Sequence, residues 1–184
     1  MRLTPKNKET MTETIVELHE FSSDGRLYYK TYPGNKHNLL IVESVESRQM
    51  AYCVNIDGGL LLLYFDAKRK LQEIEFGIPR NCWQKSSNIP EPDVVESSDI
   101  FLRGVQSYHG KWKHPYIRKR VDGSTIRGYE YDREVTAVAN SELSAVQILI
   151  GFPEKSSRWV SLSENCWAQI AENRLKGFFV KISD

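Results

Sequence analysis

The 184-residue chain has no excess of either charge: 25 Lys and Arg stand against 24 Asp and Glu, a formal net charge of +1. That balance fits neither a wholly basic nucleic-acid binder nor an acidic nucleic-acid mimic. Cysteine is scarce, with Cys53, Cys82 and Cys166 and no Cys-x-x-Cys spacing, so a zinc ribbon or thioredoxin-type redox pair has no support. An odd count of so few points to reduced thiols buried as small hydrophobes rather than to a disulfide framework. Long apolar runs are also missing. The longest, Leu60 to Phe65, is far short of the ~20 residues that cross a bilayer. The opening MRLTPKNKETMTET holds no apolar core of the kind a signal peptide needs. These absences predict a cytoplasmic protein without a membrane segment.

Local signatures of catalysis are absent too. There is no Gly-x-Ser-x-Gly elbow, no His-Glu-x-x-His, no phosphate-binding Gly-x-x-x-x-Gly-Lys and no Gly-x-Gly-x-x-Gly. Asp57-Gly58-Gly59 sits between apolar runs, where it reads as a hairpin turn. His109 and His114 flank Gly-Lys-Trp-Lys. Their spacing of five does not put them on one helical face, and the lysines between them repel a cation. No metal, cofactor or catalytic residue is expected. Chemistry assembled from distant residues, such as His109 or His114 with Cys82 or Cys166, leaves no local trace and stays open as an alternative.

What the chain does contain is β patterning. Hydrophobic residues make up 40% and aromatics 11%, enough for a real core in one domain or two small halves at ~100–200 residues per domain. Ile74, Phe76 and Ile78 alternate with Glu73, Glu75 and Gly77, the period of a half-buried strand whose glutamates solvate one face. Leu60–Phe65 and Ser144–Phe152 read as strands buried on both faces. Asp24-Gly25, Asp57-Gly58-Gly59 and Asp122-Gly123 punctuate strands as turns. Ser163 is expected to cap a short C-terminal helix reaching Arg174, with Trp167, Ile170 and Ala171 inward. A second helix is expected near Ser98–Ser107.

The segments 60–83 and 145–167 echo each other. Each reads buried strand, charged turn, alternating strand and then Asn-Cys-Trp, at Asn81-Cys82-Trp83 and Asn165-Cys166-Trp167. Read as a duplication, this gives a flexible leader over 1–12, an N-terminal β unit over 13–83, an acidic Pro/Ser linker over 84–100 and a C-terminal β unit over 101–184. The fold class expected is mainly β, a β-rich α+β arrangement. Its antiparallel sheets form two related β units packed together, with one short C-terminal helix.

The most unusual stretch is 103–133, with eight Lys or Arg against three acids. Tyr108, Trp112, Tyr116, Tyr129 and Tyr131 are interleaved. Aromatics with arginines form protein hot spots, and the same pattern suits single-stranded nucleic acid, where cations meet phosphates and rings stack on bases. Candidate contacts are Tyr108, Lys111, Trp112, Tyr116, Arg118 and Arg120. The acids Glu91, Asp93 and Glu96 form a second patch, which either lies over the basic one or meets a basic partner. The succession of strands and turns from Val54 to Trp83 (VNIDGGLLLLYFDAKRKLQEIEFGIPRNCW) resembles bacterial immunity-type antitoxin proteins. Over those about thirty residues, the resemblance implies a non-catalytic protein that blocks a toxin by complementary surface. It assigns no binding residues. The expected function is a protein-binding inhibitor module. A nucleic-acid-binding accessory protein and an enzyme with a dispersed site are the alternatives.

Overall fold

Period-two patterning dominates the chain, and strands dominate the computed structural model. It describes residues 12–20, 27–31, 40–44, 49–93, 95–107, 116–119, 123–131, 133–152 and 157–182. Within these residues the strands are β1 (Thr12–Glu20), β2 (Leu27–Thr31), β3 (Leu40–Ser44), β4 (Met50–Ile56), β5 (Leu61–Asp66), β6 (Leu71–Phe76), β7 (Gln84–Ser86) and β8 (Val95–Ser107), then β9 (Tyr116–Lys119), β10 (Thr125–Tyr131), β11 (Val135–Asn140), β12 (Ala145–Ile150), β13 (Arg158–Ser163), β14 (Cys166–Ala171) and β15 (Arg174–Lys181). Two single 3-10 turns, Asp57–Gly59 and Arg80–Cys82, are the helical elements among the described residues. Of the expected leader, Thr12 alone falls within them, as the first residue of β1.

The strands form a seven-stranded sheet, β2-β3-β6-β5-β4-β10-β9, and an eight-stranded sheet, β1-β8-β13-β14-β15-β12-β11-β7. In the latter, β1 also reaches β15 through Ile15 and Arg174, and Val16 N–H donates to the Asn173 carbonyl at 2.8 Å. Strands β1, β8, β13, β14 and β15 thereby close into a ring. Both sheets are mixed, which corrects the expectation of purely antiparallel pairing. Strand β10 runs parallel to β4, β8 to β13 and β7 to β11. Each arrives from a distant part of the chain, and only a long connection permits parallel entry.

The expected C-terminal helix is the hairpin β14–β15. Trp167, Ile170 and Ala171 have helical spacing, yet the core cluster takes every second residue: Cys166, Ala168 and Ile170 enter it, and Trp167 does not. Glu172 and Asn173 take left-handed φ of 48° and 61° and reverse the chain. Ser163 caps no helix; its Oγ accepts from Asn165 N–H at 3.2 Å within the β13–β14 turn. The helix expected near 98–107 is strand β8, with Ile100 and Leu102 inward. The segment 84–100, expected as a linker, is built into the eight-stranded sheet at both ends by β7 and β8.

One core joins both sheets. Val54, Ile56, Leu61, Leu63, Phe65 and Phe76 meet Ile100, Leu102, Ile148, Val160, Ile170 and Phe178, all buried. A smaller cluster of Cys53, Tyr64 and Ile126 covers the other face of the seven-stranded sheet. Glu73, expected in solvent, is 8% exposed on that face, and Tyr64 Oη donates to Glu75 Oε2 at 3.2 Å. Both faces of β6 are therefore covered.

The Asn-Cys-Trp echo does not mark equivalent places. Strands β5 and β6 are partners, whereas β12 and β13 are separated by β15 and β14. Cys82 is exposed and Cys166 buried. A different correspondence runs through the strand orders. The series β2-β3-β6-β5-β4, then parallel β10, then antiparallel β9, matches β11-β12-β15-β14-β13, then parallel β8, then antiparallel β1, in order and in direction.

Two features hold the arrangement. Gly177 in β15 lies where an added Cβ would run into the Ile148 carbonyl oxygen of neighbouring β12. Gly177→Ala is expected to lower stability by about 3 kcal/mol, measured by urea unfolding. The sheets are tied at Lys70, which bridges to Phe101 of β8 and pairs with Asp99 at 2.9 Å with both side chains nearly buried. Lys70→Met strands the Asp99 carboxylate and is expected to cost about 3 kcal/mol. The Lys70→Met/Asp99→Leu double variant should recover most of that loss in the same assay.

Candidate interaction surface

A cross-strand row runs from the edge of the seven-stranded sheet into the core. Ile117 of β9 stands opposite Arg127 of β10, Arg127 beside Tyr52 of β4, and Tyr52 opposite Phe65 of β5. Registered partners share a face. Exposure falls along the row from 73% at Ile117 to 0% at Phe65, with Arg127 exposed and Tyr52 half-buried between them. Lys119 and Thr125 form the next exposed pair. Among the described residues Ile117 and Phe152 are the large apolar side chains left exposed, and Ile117 is the one flanked by Arg127 and Lys119.

Arg69 reaches the same place from the β5–β6 turn. Asp66 Oδ1 accepts from Lys68 N–H at 2.8 Å and Lys70 N–H at 2.9 Å, which knots the turn and leaves Arg69 at a left-handed φ of 67°. From there its guanidinium lies 5.7 Å from the Tyr52 ring centroid, and Nη1 donates to the Arg103 carbonyl at 3.5 Å. The stacking fixes a long side chain that solvent would otherwise leave loose. Arg69, Arg127, Lys119 and the β8 backbone at Arg103 thus converge around Tyr52 and Ile117.

The structure brings together only part of what the sequence singles out. Tyr108, Lys111, Trp112 and Arg120 lie outside the described residues, as do His37, His109 and His114. Tyr116 and Arg118 belong to β9, registered with Gly128 and Ile126. Tyr131 is buried in the core, and Tyr129 packs against it, so neither interleaved tyrosine of β10 is free to stack on a base.

The acidic patch is spread along the eight-stranded sheet and already engaged. Glu91 pairs with Lys181 at 2.9 Å and Glu96 with Arg158 at 3.3 Å, while Asp93 is exposed. Neither Lys181 nor Arg158 belongs to 103–133, so these two acids pair with cations other than those of the basic stretch.

Tyr52, Arg69 and Ile117 were not legible as site residues. Nothing in local sequence joins a β4 tyrosine to a turn arginine and a β9 isoleucine; the inserted strand β10 does. The alternative built on cysteine fares unevenly. Burial alone pushes the Cys166 thiol far above its ordinary pKa, which keeps it in the non-nucleophilic form. Cys82 is exposed, with Sγ 3.7 Å from Asn81 Oδ1, correcting the expectation of three buried thiols. Among the described residues no group of three or more His, Cys, Asp or Glu is arranged to hold a metal ion, and no helix is long and apolar enough to cross a membrane. No protein-family model matches the chain, and no curated protein matches it significantly.

The thiol environments are directly measurable. With a colorimetric disulfide reagent at neutral pH, Cys82 is expected to react within seconds to minutes. Cys53 and Cys166 should react only at the rate of unfolding. Cys82→Ser should remove the fast phase entirely.

Proposed function

We propose that the chain is a non-catalytic protein-binding module that docks and blocks an acidic partner through the β9–β10 edge of the seven-stranded sheet. The observation that carries this reading is the row Ile117–Arg127–Tyr52, in which an exposed isoleucine stands beside an exposed arginine and an arginine-stacked tyrosine. Apolar area at the centre with arginine and tyrosine around it has the chemistry of a protein hot spot, and the surrounding cations speed encounter with an acidic surface. Strand β9 ends its sheet, and an edge strand is suited to receive a partner strand. The resemblance of Val54–Trp83 to immunity-type antitoxins agrees with a blocking role, without assigning its contacts. The cytoplasm is the compartment proposed.

The scaffold proposed for this task is two related β units, β2–β6 and β11–β15, that exchange flanking strands. Support comes from the shared strand order and directions of the two sheets. Neither unit would bury enough surface alone, so mutual packing supplies the rigidity an inhibitor needs.

Nucleic acid is the less favoured partner because, among the described residues, the two interleaved tyrosines of β10 that it would stack on, Tyr129 and Tyr131, are packed with the core. The test is tagged pull-down of the whole chain alongside Arg127→Glu and Ile117→Asp, each checked by circular dichroism. A stoichiometric protein partner is expected whose affinity drops about thirtyfold or more in either variant, equivalent to about 2 kcal/mol. The partner's toxic or enzymatic activity should be suppressed by the wild-type chain only. Copurifying RNA or DNA, or a partner indifferent to both substitutions, would overturn the proposal.

A further inference from the structure

The outer face of the eight-stranded sheet takes no part in the surface described above. Where Cys166, Ala168, Ile170, Phe178, Val180, Val160, Val146 and Ile148 point into the core, the alternate positions point the other way. Two registered rows cross five strands there. One reads Val138–Gln147–Phe179–Trp167–Ser161 and the other Thr136–Leu149–Gly177–Gln169–Trp159. At the usual strand spacing the face is about 20 Å across. Trp159, Trp167, Leu149, Val138, Gln147, Thr136 and Ser161 are half-buried, while Phe179, Gly177 and Gln169 among them are buried. None of the ten positions carries a charge.

Both indoles are held in place. Trp159 meets Phe179 edge-on at 6.3 Å and 78°, and Trp167 meets the same ring at 5.7 Å and 59°. Lys181 stacks on Trp167 at 5.7 Å while pairing with Glu91, so this salt bridge braces the ring. In the corner between the indoles lies Gln169, opposite Trp159 and two residues from Trp167. Its Nε2 donates to Ser157 Oγ at 2.6 Å, which sets the amide's orientation. Its Oε1 is buried with no partner among the described residues, and the residue is 6% exposed. A lone buried acceptor costs about 1–3 kcal/mol, which a donated hydroxyl recovers.

We infer that this face binds a neutral oligosaccharide, stacked across Trp159 and Trp167 with a hydroxyl donated to Gln169. The chemistry selects the ligand class. Rigid rings offer apolar stacking, amides and hydroxyls offer both donors and acceptors, and uncharged rows whose flanking Lys181 is already paired with Glu91 give little purchase to phosphate, sulfate or an anionic lipid surface. A sugar chain has apolar C–H faces and hydroxyl edges that match this surface.

The test is calorimetric titration of the whole chain with cellohexaose, xylohexaose, laminarihexaose and mannohexaose, followed in parallel by tryptophan fluorescence. At least one is expected to bind saturably, to shift the indole emission and to protect the tryptophans from N-bromosuccinimide oxidation. Trp159→Ala and Trp167→Ala are each expected to weaken it about tenfold or more, and Gln169→Leu to weaken it while Arg127→Glu leaves it unchanged. The oxidation-protection readout needs only the wild-type chain, so a variant that fails to fold does not decide the matter. No binding at millimolar sugar, binding without tryptophan protection, or equal binding of a sulfated hexasaccharide would each overturn the inference. Since the proposed protein-docking edge is tested with Arg127→Glu, failure at one surface is distinguishable from failure at the other.

Discussion

Each sheet receives a strand that no local hairpin could deliver. Strand β10 enters the seven-stranded sheet parallel to β4, and β8 enters the eight-stranded sheet parallel to β13. Parallel entry gives no turn to set the register, so side-chain burial must set it. In β10 the alternation of exposed Thr125 and Arg127 with buried Ile126 and Gly128 does so, and a slip of one residue would send Arg127 into the Cys53–Tyr64–Ile126 cluster. In β8, Ile100 and Leu102 play the same part in the larger core. The proposed contact surface depends on this register, which places Arg127 beside Tyr52 and carries β9, with Ile117, to the sheet edge.

Local strand patterning was readable in the sequence, and its limits have physical causes. Turn residues and alternation mark β3 to β6 and β12 within a residue or two, because Asp57-Gly58-Gly59 and the charged turn after Asp66 are strong interruptions between apolar runs. Strand β14 was misread because Trp167, Ile170 and Ala171 satisfy helical spacing while Cys166, Ala168 and Ile170 satisfy strand spacing. Six residues cannot decide between the two, and the left-handed pair Glu172-Asn173 decides it instead. The aromatic–basic interleaving of β10 looked like one exposed surface, but burial changes along the strand: on the face they share, Arg127 is exposed and Tyr131, four residues on, lies in the core. The site's remaining members, Tyr52 and Arg69, meet it only through sheet order, which composition and spacing do not encode.

Charge is deployed in the same divided way. The acids of 91–99 engage Lys181, Arg158 and Lys70, and each pair has a different weight. Those at Glu91 and Glu96 are exposed and contribute little to stability, although Lys181 thereby gains a fixed position over Trp167. The Lys70–Asp99 pair is shielded and sits where the turn of one sheet meets a strand of the other. Its role is to specify how the sheets meet, because either partner alone would be a buried charge.

The matching strand orders of the two sheets sharpen the question of where function resides. Strands β5 and β14 occupy corresponding positions, yet their outward residues differ in kind. Tyr64 faces Glu73 and bonds Glu75 under a covered surface, whereas Trp167 and its neighbours form an uncharged, half-exposed plane. Inward positions of both remain aliphatic or aromatic, because a shared core tolerates little else. Outward positions are free of that constraint. Matching strand orders therefore support two surfaces of opposite chemistry, one cationic and edge-on, the other neutral and face-on, and the scaffold alone could have predicted neither.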